Sequence, residues 1–323
     1  MSSTAGDEPL AITFGPVPSR RLGRSLGINN VPPKTCSYAC VYCQLGRTTT
    51  MQVERRVFYP PEAIARAVQQ RVDEVQSAGE TIDYLTFVPD GEPTLDAGLG
   101  DAIERLEPLG IPIAVIANGS ILSRPDVQRD LSSADWVSVK VDAAAEATWR
   151  SVDRPHKALA FDEVQAGILE FESGFRGYLV TETMLVRGVN DGEDSVERIA
   201  DLVGRLKPAV AYLAAPIRPP AEAWVEVPDE ASIVRAYAAF ADRVDRVEFL
   251  IEYEGDEFSL AGGIEETLLA TTSVHPLRED AVEDLLARSR ATWDAVDRLV
   301  ADGRLVRRDH RGHAFFVRRQ PGR

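Results

Sequence analysis

The residues with the clearest chemical potential are three cysteines confined to eight consecutive positions. Cys36, Cys40 and Cys43 have C-x3-C-x2-C spacing, Tyr42 stands just before the last of them, and the chain contains no further cysteine. Thiolates are soft ligands that suit iron–sulfur clusters or zinc. A cubane cluster has four irons, so three cysteines would leave one iron open to a small molecule. The motif therefore predicts a cluster with an open coordination position.

Zinc is the alternative metal, with the distant His156 as a fourth ligand. Zinc ribbons and fingers usually pair one C-x2-C with a second pair, and the sequence contains no second pair. Three unrelated buried cysteines would rarely fall within eight residues. An odd number of cysteines also argues against a disulfide framework. The iron–sulfur cluster is therefore the favoured interpretation.

The cysteines must be positioned by an alternation of short apolar runs and longer segments with helical spacing, from about residue 15 to residue 253. The apolar runs predict strands at 25–28, 84–88, 113–117, 136–141, 178–186, 209–215 and 247–253. The longer segments predict helices from Pro61 onward and near 99–106, 161–171, 195–206 and 230–244. This alternation implies an α/β fold with a parallel sheet, open or closed into a barrel. Catalytic residues would then lie at the C-terminal ends of the strands.

The cysteine motif, following the first of these strands, resembles the signature of the radical S-adenosylmethionine (SAM) superfamily. The resemblance covers roughly residues 12–250. It implies a partial (β/α) TIM-type barrel that holds a [4Fe–4S] cluster through the three cysteines, with SAM chelated by the open iron and Tyr42 among the cofactor-binding residues. It also implies that one electron splits SAM into methionine and a 5′-deoxyadenosyl radical, which abstracts hydrogen from a substrate. Residues 17–46, which include Pro18-Ser19-Arg20-Arg21-Leu22-Gly23, resemble a branch loosely related to the wybutosine-type iron–sulfur oxidoreductases that modify tRNA.

Two polar segments at predicted strand ends resemble further cofactor-binding parts of this superfamily. The run Asp90, Gly91, Glu92 and Pro93 resembles the Gly-Gly-Glu segment that binds the methionine amino group, although Asp90 stands where the family has glycine. A strand-to-helix loop with a capping acid is the alternative. Asn118 ends the next strand and resembles the family's Thr-Asn-Gly segment beside the cofactor, with a plain turn as the alternative.

The next two strands carry charged candidates. Alternation places Ser138, Lys140 and Asp142 on one face of their strand. If that face points inward, Lys140 meets the cofactor carboxylate or an anionic substrate, and Asp142 meets the ribose hydroxyls. Lys140 is also the candidate catalytic residue, because a desolvated lysine can form a Schiff base; a buried Lys–Asp pair that holds the strand ends is the alternative. By resemblance, Glu182 and Thr183 contact the ribose or methionine part of SAM.

The C-terminal part predicts a second, smaller domain at 264–319, after a barrel domain at 12–254 and a boundary within 255–263. Helices at 264–270, 279–288 and 290–301 precede strands at 304–306 and 314–317, which flank a turn at 309–312. Three helices and a hairpin are typical of a winged helix. Residues 304–323 carry seven arginines and one acid, so the wing favours phosphate contacts with RNA. A module that only packs against the barrel is the alternative.

Composition and charge argue against several other classes of protein. The 323-residue chain has a net charge of −15, which argues against a protein that coats nucleic acid over its whole surface. Residues 1–9 are polar and acidic, without the features of a secretory signal. No apolar run approaches the roughly 20 residues that a membrane span needs. A cytoplasmic location and no membrane partner are therefore expected.

Three functional hypotheses follow. The first is a radical SAM enzyme that acts on a macromolecule such as a tRNA. The second is a radical SAM enzyme for a small metabolite or a peptide, with the winged helix as a lid. The third is a cluster- or zinc-bearing regulator that binds DNA, although a regulator has no need of a cofactor-binding barrel mouth. Either enzyme implies an electron donor such as flavodoxin or ferredoxin as a partner.

Overall fold

The computed structural model describes residues 12–251, 263–273 and 275–319. The end of the last predicted barrel strand at 252–253, the barrel-domain end at residue 254 and the proposed boundary at 255–262 lie outside the described residues. In the first range the strands are β1 (Thr13–Ser19), β2 (Gly23–Ile28), β3 (Thr35–Cys36), β4 (Thr50–Met51), β5 (Tyr84–Phe87), β6 (Ile113–Ala117), β7 (Trp136–Lys140), β8 (Tyr178–Met184), β9 (Val210–Ala214) and β10 (Val247–Leu250). The helices there are α1 (Pro61–Ser77), α2 (Leu99–Leu106), α3 (Pro125–Ser132), α4 (Glu146–Val152), α5 (Phe161–Gly174), α6 (Glu193–Leu206) and α7 (Glu230–Ala241).

The main sheet has eight strands in the order β1-β2-β5-β6-β7-β8-β9-β10. Strand β1 is antiparallel to β2, and every other pair is parallel. Each parallel strand is joined to its neighbour through one or two helices, as in a (β/α) barrel. The two edge strands, β1 and β10, do not pair with each other in the described sheet. The predicted partial TIM-type barrel is thus confirmed.

The two faces of the sheet differ in what covers them. The outer face packs against the helices, as Val137 and Val139 do in the large core that also contains Ile64 and Ile103. The inner face has a smaller apolar cluster formed by Leu22, Ala114, Trp136, Val180, Val210 and Tyr212. Because alternate residues of a strand share a face, Lys140 lies on the inner side with Trp136.

Five elements of this part were not predicted from the sequence: β1, the two-residue strands β3 and β4, and helices α3 and α4. Strand β1 contains Gly15, Pro16 and Pro18, residues that normally interrupt strands, but it is an edge strand with an irregular register between Phe14 and Val17. Helices α3 and α4 have eight and seven residues and only two buried positions each, whereas the equally short α2 has five, so their hydrophobic period does not stand out.

The C-terminal part consists of α8 (Ile264–Thr272), β11 (Leu277–Arg278), α9 (Glu279–Ser289), α10 (Asp294–Ala301), β12 (Leu305–His310) and β13 (His313–Arg318). The strands form an antiparallel sheet in the order β11-β13-β12. The predicted turn at 309–312 is shorter than expected, because only Arg311 and Gly312 connect the strands, with φ values of 51° and 80°. Two residues at positive φ are typical of a tight type I′ hairpin.

The C-terminal part contacts the barrel at both its base and its upper edge. Val17 of β1 packs against the C-terminal core, and α8 lies beside β1. At the other end, His310 Nε2 lies 3.3 Å from the carbonyl oxygen of Pro216, which follows β9. The β12–β13 hairpin therefore reaches the edge where the parallel strands end. Among the residues that the structure describes, no helix is long and apolar enough to cross a membrane.

Candidate active site

The cysteines lie on a loop (residues 34–50, the cysteine loop) that follows β2 at the C-terminal edge of the sheet. The loop is closed at its base, because the backbone N–H groups of Thr49 and Thr50 both donate to the carbonyl of Lys34, at 3.2 and 3.0 Å. The short parallel pair of β3 and β4 extends this closure to Cys36 and Met51. The sequence thus brings the metal-binding motif to the edge where strand-end residues converge.

The cysteine side chains are partly enclosed. The Cys36 sulfur accepts a hydrogen bond from Tyr38 N at 3.4 Å, and the Cys40 thiol lies 3.4 Å from Asp153 Oδ1. Burial raises the pKa of Cys36 to about 12, with a further contribution from Glu92, and burial together with Asp153 raises the pKa of Cys40 well above its ordinary value. Without metal these two thiols are neutral, so metal binding must release their protons.

The donor set fits a cubane cluster better than zinc. In the stretches 12–251, 263–273 and 275–319, no three His, Cys, Asp or Glu side chains converge as the ligands of a single ion would. A cubane does not require such convergence, because its cysteines bind different irons. His156 is engaged elsewhere, since its Nδ1 accepts the N–H of Ala158 at 3.2 Å. Three cysteines without a fourth ligand fit a [4Fe–4S] cluster with one open iron.

The segment after β5 supports the cysteine loop through its backbone. Lys34 N donates to the Asp90 carbonyl at 2.6 Å, and Glu92 N donates to the Thr35 carbonyl at 3.0 Å. A Cβ atom on Gly91 would lie only 2.2 Å from the carbonyl oxygen of Thr35. Position 91 therefore admits only glycine, because any side chain would push the cysteine loop away.

The side chain of Asp90 accounts for the departure from Gly-Gly-Glu. Its Oδ1 lies 2.8 Å from Lys34 Nζ, and the two side chains are only 2% and 5% exposed. Lys34 also has a left-handed backbone conformation, with φ of 60°. A buried ammonium is costly unless it is paired, so Asp90 supplies the charge that this chain needs at the base of the loop.

Glu92 connects the ends of β5 and β6. Its Oε1 accepts hydrogen bonds from the N–H and the hydroxyl of Thr94, at 3.1 and 2.5 Å, where Pro93 begins a short 3-10 turn. Its Oε2 accepts the N–H of Asn118 at 2.7 Å. Asn118 in turn donates to Ser37 Oγ at 2.9 Å. The capping role left open by the sequence is therefore present, and it positions Asn118 beside the cysteine loop.

Burial raises the pKa of Glu92 from 4.5 to about 7, despite hydrogen bonds that favour the charged form. The folded chain then binds more protons than the unfolded chain between these two values, so stability falls as pH rises through this window. We expect this group to lower the free energy of unfolding of the metal-free protein by up to about 3 kcal/mol between pH 4.5 and 7. Denaturant titrations at several pH values should show a smaller fall for Glu92→Gln; equal falls would contradict the assignment.

Charged side chains form a connected network on the inner face. Tyr42 donates its hydroxyl to Asp142, whose Oδ1 also accepts Met184 N at 2.6 Å. Lys140 Nζ lies 5.1 Å from the centre of the Tyr42 ring and forms an ion pair with Glu182. This network brings together four residues that the sequence singled out on two strands and the cysteine loop.

The charges in this network favour the protonated form of Lys140. Burial lowers its pKa, but Glu182 and Asp142 outweigh that effect and hold the pKa above its ordinary value. Burial likewise opposes ionisation of Glu182, yet Lys140 and Arg21 lower its pKa to about 2. A protonated, ion-paired lysine is a poor amine nucleophile, so the ion pair with Glu182 favours a charge-holding role for Lys140 over a Schiff base.

Two contributors to the network were missed in the sequence. Arg21 forms an ion pair with Glu182 and lies 5.9 Å from the ring centres of both Trp136 and Tyr212. It belongs to the Pro18–Gly23 run, whose resemblance to the wybutosine-related branch implies no particular contact for Arg21. Asp153 interacts with both Cys40 and Asp142, and burial raises its pKa well above the ordinary value. No sequence pattern marked Asp153.

Thr183 is not part of the charged network on the inner face. It is fully buried, and its hydroxyl donates to the carbonyl of Val141 at 2.8 Å. Alternation along β8 places it on the opposite face from Glu182. Thr183 therefore holds adjacent strands together on the helix-covered side.

Comparisons of the sequence and of the fold with known proteins both lead to radical SAM proteins. Residues 30–203 match the model of the radical SAM superfamily. A UPF0026 protein of Methanocaldococcus jannaschii is 43% identical over 311 residues, which cover 96% of each chain. A radical SAM methyltransferase from Sphaerobacter thermophilus superposes with a TM-score of 0.54 at 17% identity, over 70% of this chain and 66% of that one. TYW1 with a lysine–pyruvate adduct bound superposes with a TM-score of 0.52 at 15% identity, over 68% and 74% respectively.

The two structural matches show the fold, and the family match adds the chemistry. The family match spans more than half of the chain and includes the whole cysteine motif together with β5, β6, β7 and β8. Members of this family use a [4Fe–4S] cluster and SAM, to which the three-cysteine donor set corresponds. The chain belongs to the radical SAM superfamily and is an enzyme of that type.

Proposed function

We propose that this enzyme cleaves SAM reductively at a cluster held by Cys36, Cys40 and Cys43, and that its substrate is an RNA. A reduced cluster held by these cysteines would supply the electron that divides SAM into methionine and a 5′-deoxyadenosyl radical. The protein's own contribution is to hold the reactants apart from water and to fix their orientation.

The cofactor-binding residues proposed are those that converge beside the cysteine loop. Asn118 lies next to Cys36, since its Nδ2 is 3.6 Å from that sulfur. Tyr42 and Asp142 join the loop to the inner face, where Lys140 and Glu182 complete the set. Asp90 and Glu92 contact the backbone of the loop at Lys34 and Thr35, and with Gly91 and Pro93 they complete a row of candidate residues that extends from β5 to β8.

The observation that carries the RNA proposal is the position of the C-terminal hairpin. Its tip residue Arg311 is exposed and directly follows His310, which contacts Pro216 at the barrel edge. The order helix, strand, two helices and hairpin, with β13 between β11 and β12, supports a winged-helix assignment. Such a hairpin would bring a phosphate backbone to the barrel mouth. The described arginines of this basic segment are 304, 307, 308, 311, 318 and 319, and Arg323 lies outside the described residues.

A small metabolite or a peptide is the second candidate substrate, and the contacts between the two parts of the chain favour it. Arg218 lies 3.2 Å from His275 Nε2 through one nitrogen and donates to Gln44 Oε1 at 2.8 Å through another. It thereby connects the C-terminal part to the cysteine loop, as a lid over a small substrate would require.

Binding to a total tRNA pool separates these candidates. The variant combines Arg308→Gln with Arg311→Asn, because asparagine tolerates the left-handed φ of 51° at position 311. We expect affinity to fall about tenfold and the salt dependence of binding to weaken, as phosphate contacts are lost. Arg105→Gln, on the exposed surface of α2, serves as a control that retains wild-type affinity. Equal affinities for all three proteins would favour the small-substrate alternative.

A further inference from the structure

The outer flank of the cysteine loop is held by two other segments. Val41 N donates to the Val152 carbonyl at 2.9 Å, and His156 N donates to the Ser37 carbonyl at 2.8 Å, so residues 152–156 run alongside the loop. Glu222, in the segment after β9, donates its N–H to the Val41 carbonyl at 3.0 Å. Side chains carried by these segments are therefore fixed relative to the cysteines.

Glu222 presents two arginines to solvent. Its carboxylate is buried, and it accepts hydrogen bonds from Arg154 at 2.7 Å and from Arg47 at 2.8 Å, one on each oxygen. The arginine side chains themselves are 43% and 65% exposed. Arg154 also has φ of 46°, a conformation that non-glycine residues adopt mostly where the surrounding structure imposes it. One carboxylate between two guanidinium groups leaves a net positive surface.

An exposed tryptophan is carried by the same short segment as Glu222. Trp224 is two residues beyond Glu222 and is 50% exposed. Tryptophan and arginine are the residue types most enriched at the energetic centres of protein interfaces. We call Arg47, Arg154 and Trp224 the arginine–tryptophan patch.

The patch lies next to the metal ligands. Arg154 directly follows Asp153, whose Oδ1 is 3.4 Å from the Cys40 sulfur, and Arg47 is four residues beyond Cys43. An external electron that reaches a buried cluster must arrive from a donor docked close by. The chain carries a net charge of −15, so an acidic donor needs a local positive surface to approach it. Electron-transfer complexes bury little area, which a patch of this size can supply.

We propose that the arginine–tryptophan patch is the docking surface for an acidic, flavodoxin-type electron-donor protein. The proposal rests on the reductive SAM chemistry proposed above. The transfer makes and breaks no bond: the reduced flavin of the donor loses one electron, and the oxidised cluster gains it. Arg47 and Arg154 steer and hold the donor, and Trp224 supplies the apolar contact.

The test uses the full chain with its cluster and a bacterial flavodoxin as the probe. Affinity for oxidised flavodoxin is measured by calorimetry at several salt concentrations, and the rate of cluster reduction by reduced flavodoxin is followed by absorbance. For Arg47→Gln with Arg154→Gln we expect affinity to fall about tenfold with a flatter salt dependence, and the reduction rate to fall with it. Trp224→Ala leaves the ion pairs intact and should also weaken binding. Arg105→Gln is the control.

Reduction by dithionite provides the reference, because this small reductant needs no docking surface. Its rate, and dithionite-driven formation of 5′-deoxyadenosine, should stay within about twofold of wild type in all variants. Unchanged flavodoxin affinity in both patch variants would overturn the proposal while leaving the proposed function intact. Loss of tRNA binding with flavodoxin affinity retained would assign the patch to RNA and would also overturn it. If the wild-type protein forms no 5′-deoxyadenosine when it is reduced with dithionite, that result would instead contradict the proposed function.

Discussion

Replacing Cys40 by alanine should reduce the iron and sulfide content of the reconstituted protein to background and abolish SAM cleavage. The chain has three cysteines in all, so no spare thiol can replace the lost ligand. Loss of a residue that merely supports a metal ligand costs about 10- to 100-fold in metal affinity or activity, and loss of the ligand itself should exceed that range. Iron and sulfide analysis with electron paramagnetic resonance after anaerobic reconstitution measures the effect.

Asp153→Asn provides the matched control for this substitution. It alters the side chain 3.4 Å from the Cys40 sulfur but leaves all three thiols in place. We expect this variant still to incorporate a cluster, with a loss no greater than the roughly 10- to 100-fold typical of a supporting residue. A cluster of normal content and spectrum in Cys40→Ala would show that Cys40 is not a ligand, and the three-cysteine site would be wrong.

The second large effect is expected for Asp90→Gly, although this substitution restores the Gly-Gly-Glu segment of the superfamily. It leaves the Lys34 ammonium buried without its carboxylate partner. Removing one partner of a buried ion pair typically costs about 3–5 kcal/mol of folding free energy. Because the backbone of Lys34 closes the cysteine loop, cluster content should fall as well. Denaturant unfolding of the metal-free protein and iron analysis measure the two effects.

Two comparisons isolate the buried pair. Replacing both partners, with Lys34→Met and Asp90→Ala, should recover most of the stability, because an apolar pair leaves no unpaired charge. Arg105→Gln removes an exposed ion pair with Glu62 and should cost no more than about 1 kcal/mol. A stability of Asp90→Gly close to that of wild type would contradict the clamping role of Lys34 and Asp90.

The sequence predicted the part of the fold that depends on local pattern. Strands such as β6 and β7 are short apolar runs, buried on both faces, and their bounds were predicted to within one residue. The cysteine motif is likewise local, so its position at the end of a strand could be predicted. The parallel arrangement then placed Asn118, Lys140 and Asp142 at one edge of the sheet without knowledge of any contact.

The remaining features depend on contacts between distant positions. Arg21 and Glu182 are 161 residues apart, and nothing in either segment encodes their ion pair. The Asp90 side chain was a departure from the family pattern until its contact with Lys34 explained it. Thr183 was placed correctly in β8, but its role depends on which face of that strand points inward, and this follows only from packing.

Formation of 5′-deoxyadenosine tests the central claim most directly. The wild-type protein is reconstituted anaerobically with iron and sulfide, reduced with dithionite and incubated with SAM, with and without total tRNA. Chromatography then quantifies the products. We predict 5′-deoxyadenosine and methionine in equal amounts, dependent on the reductant and absent from Cys40→Ala. A fully loaded cluster that yields neither product under either condition would contradict the assignment of this site to reductive SAM cleavage.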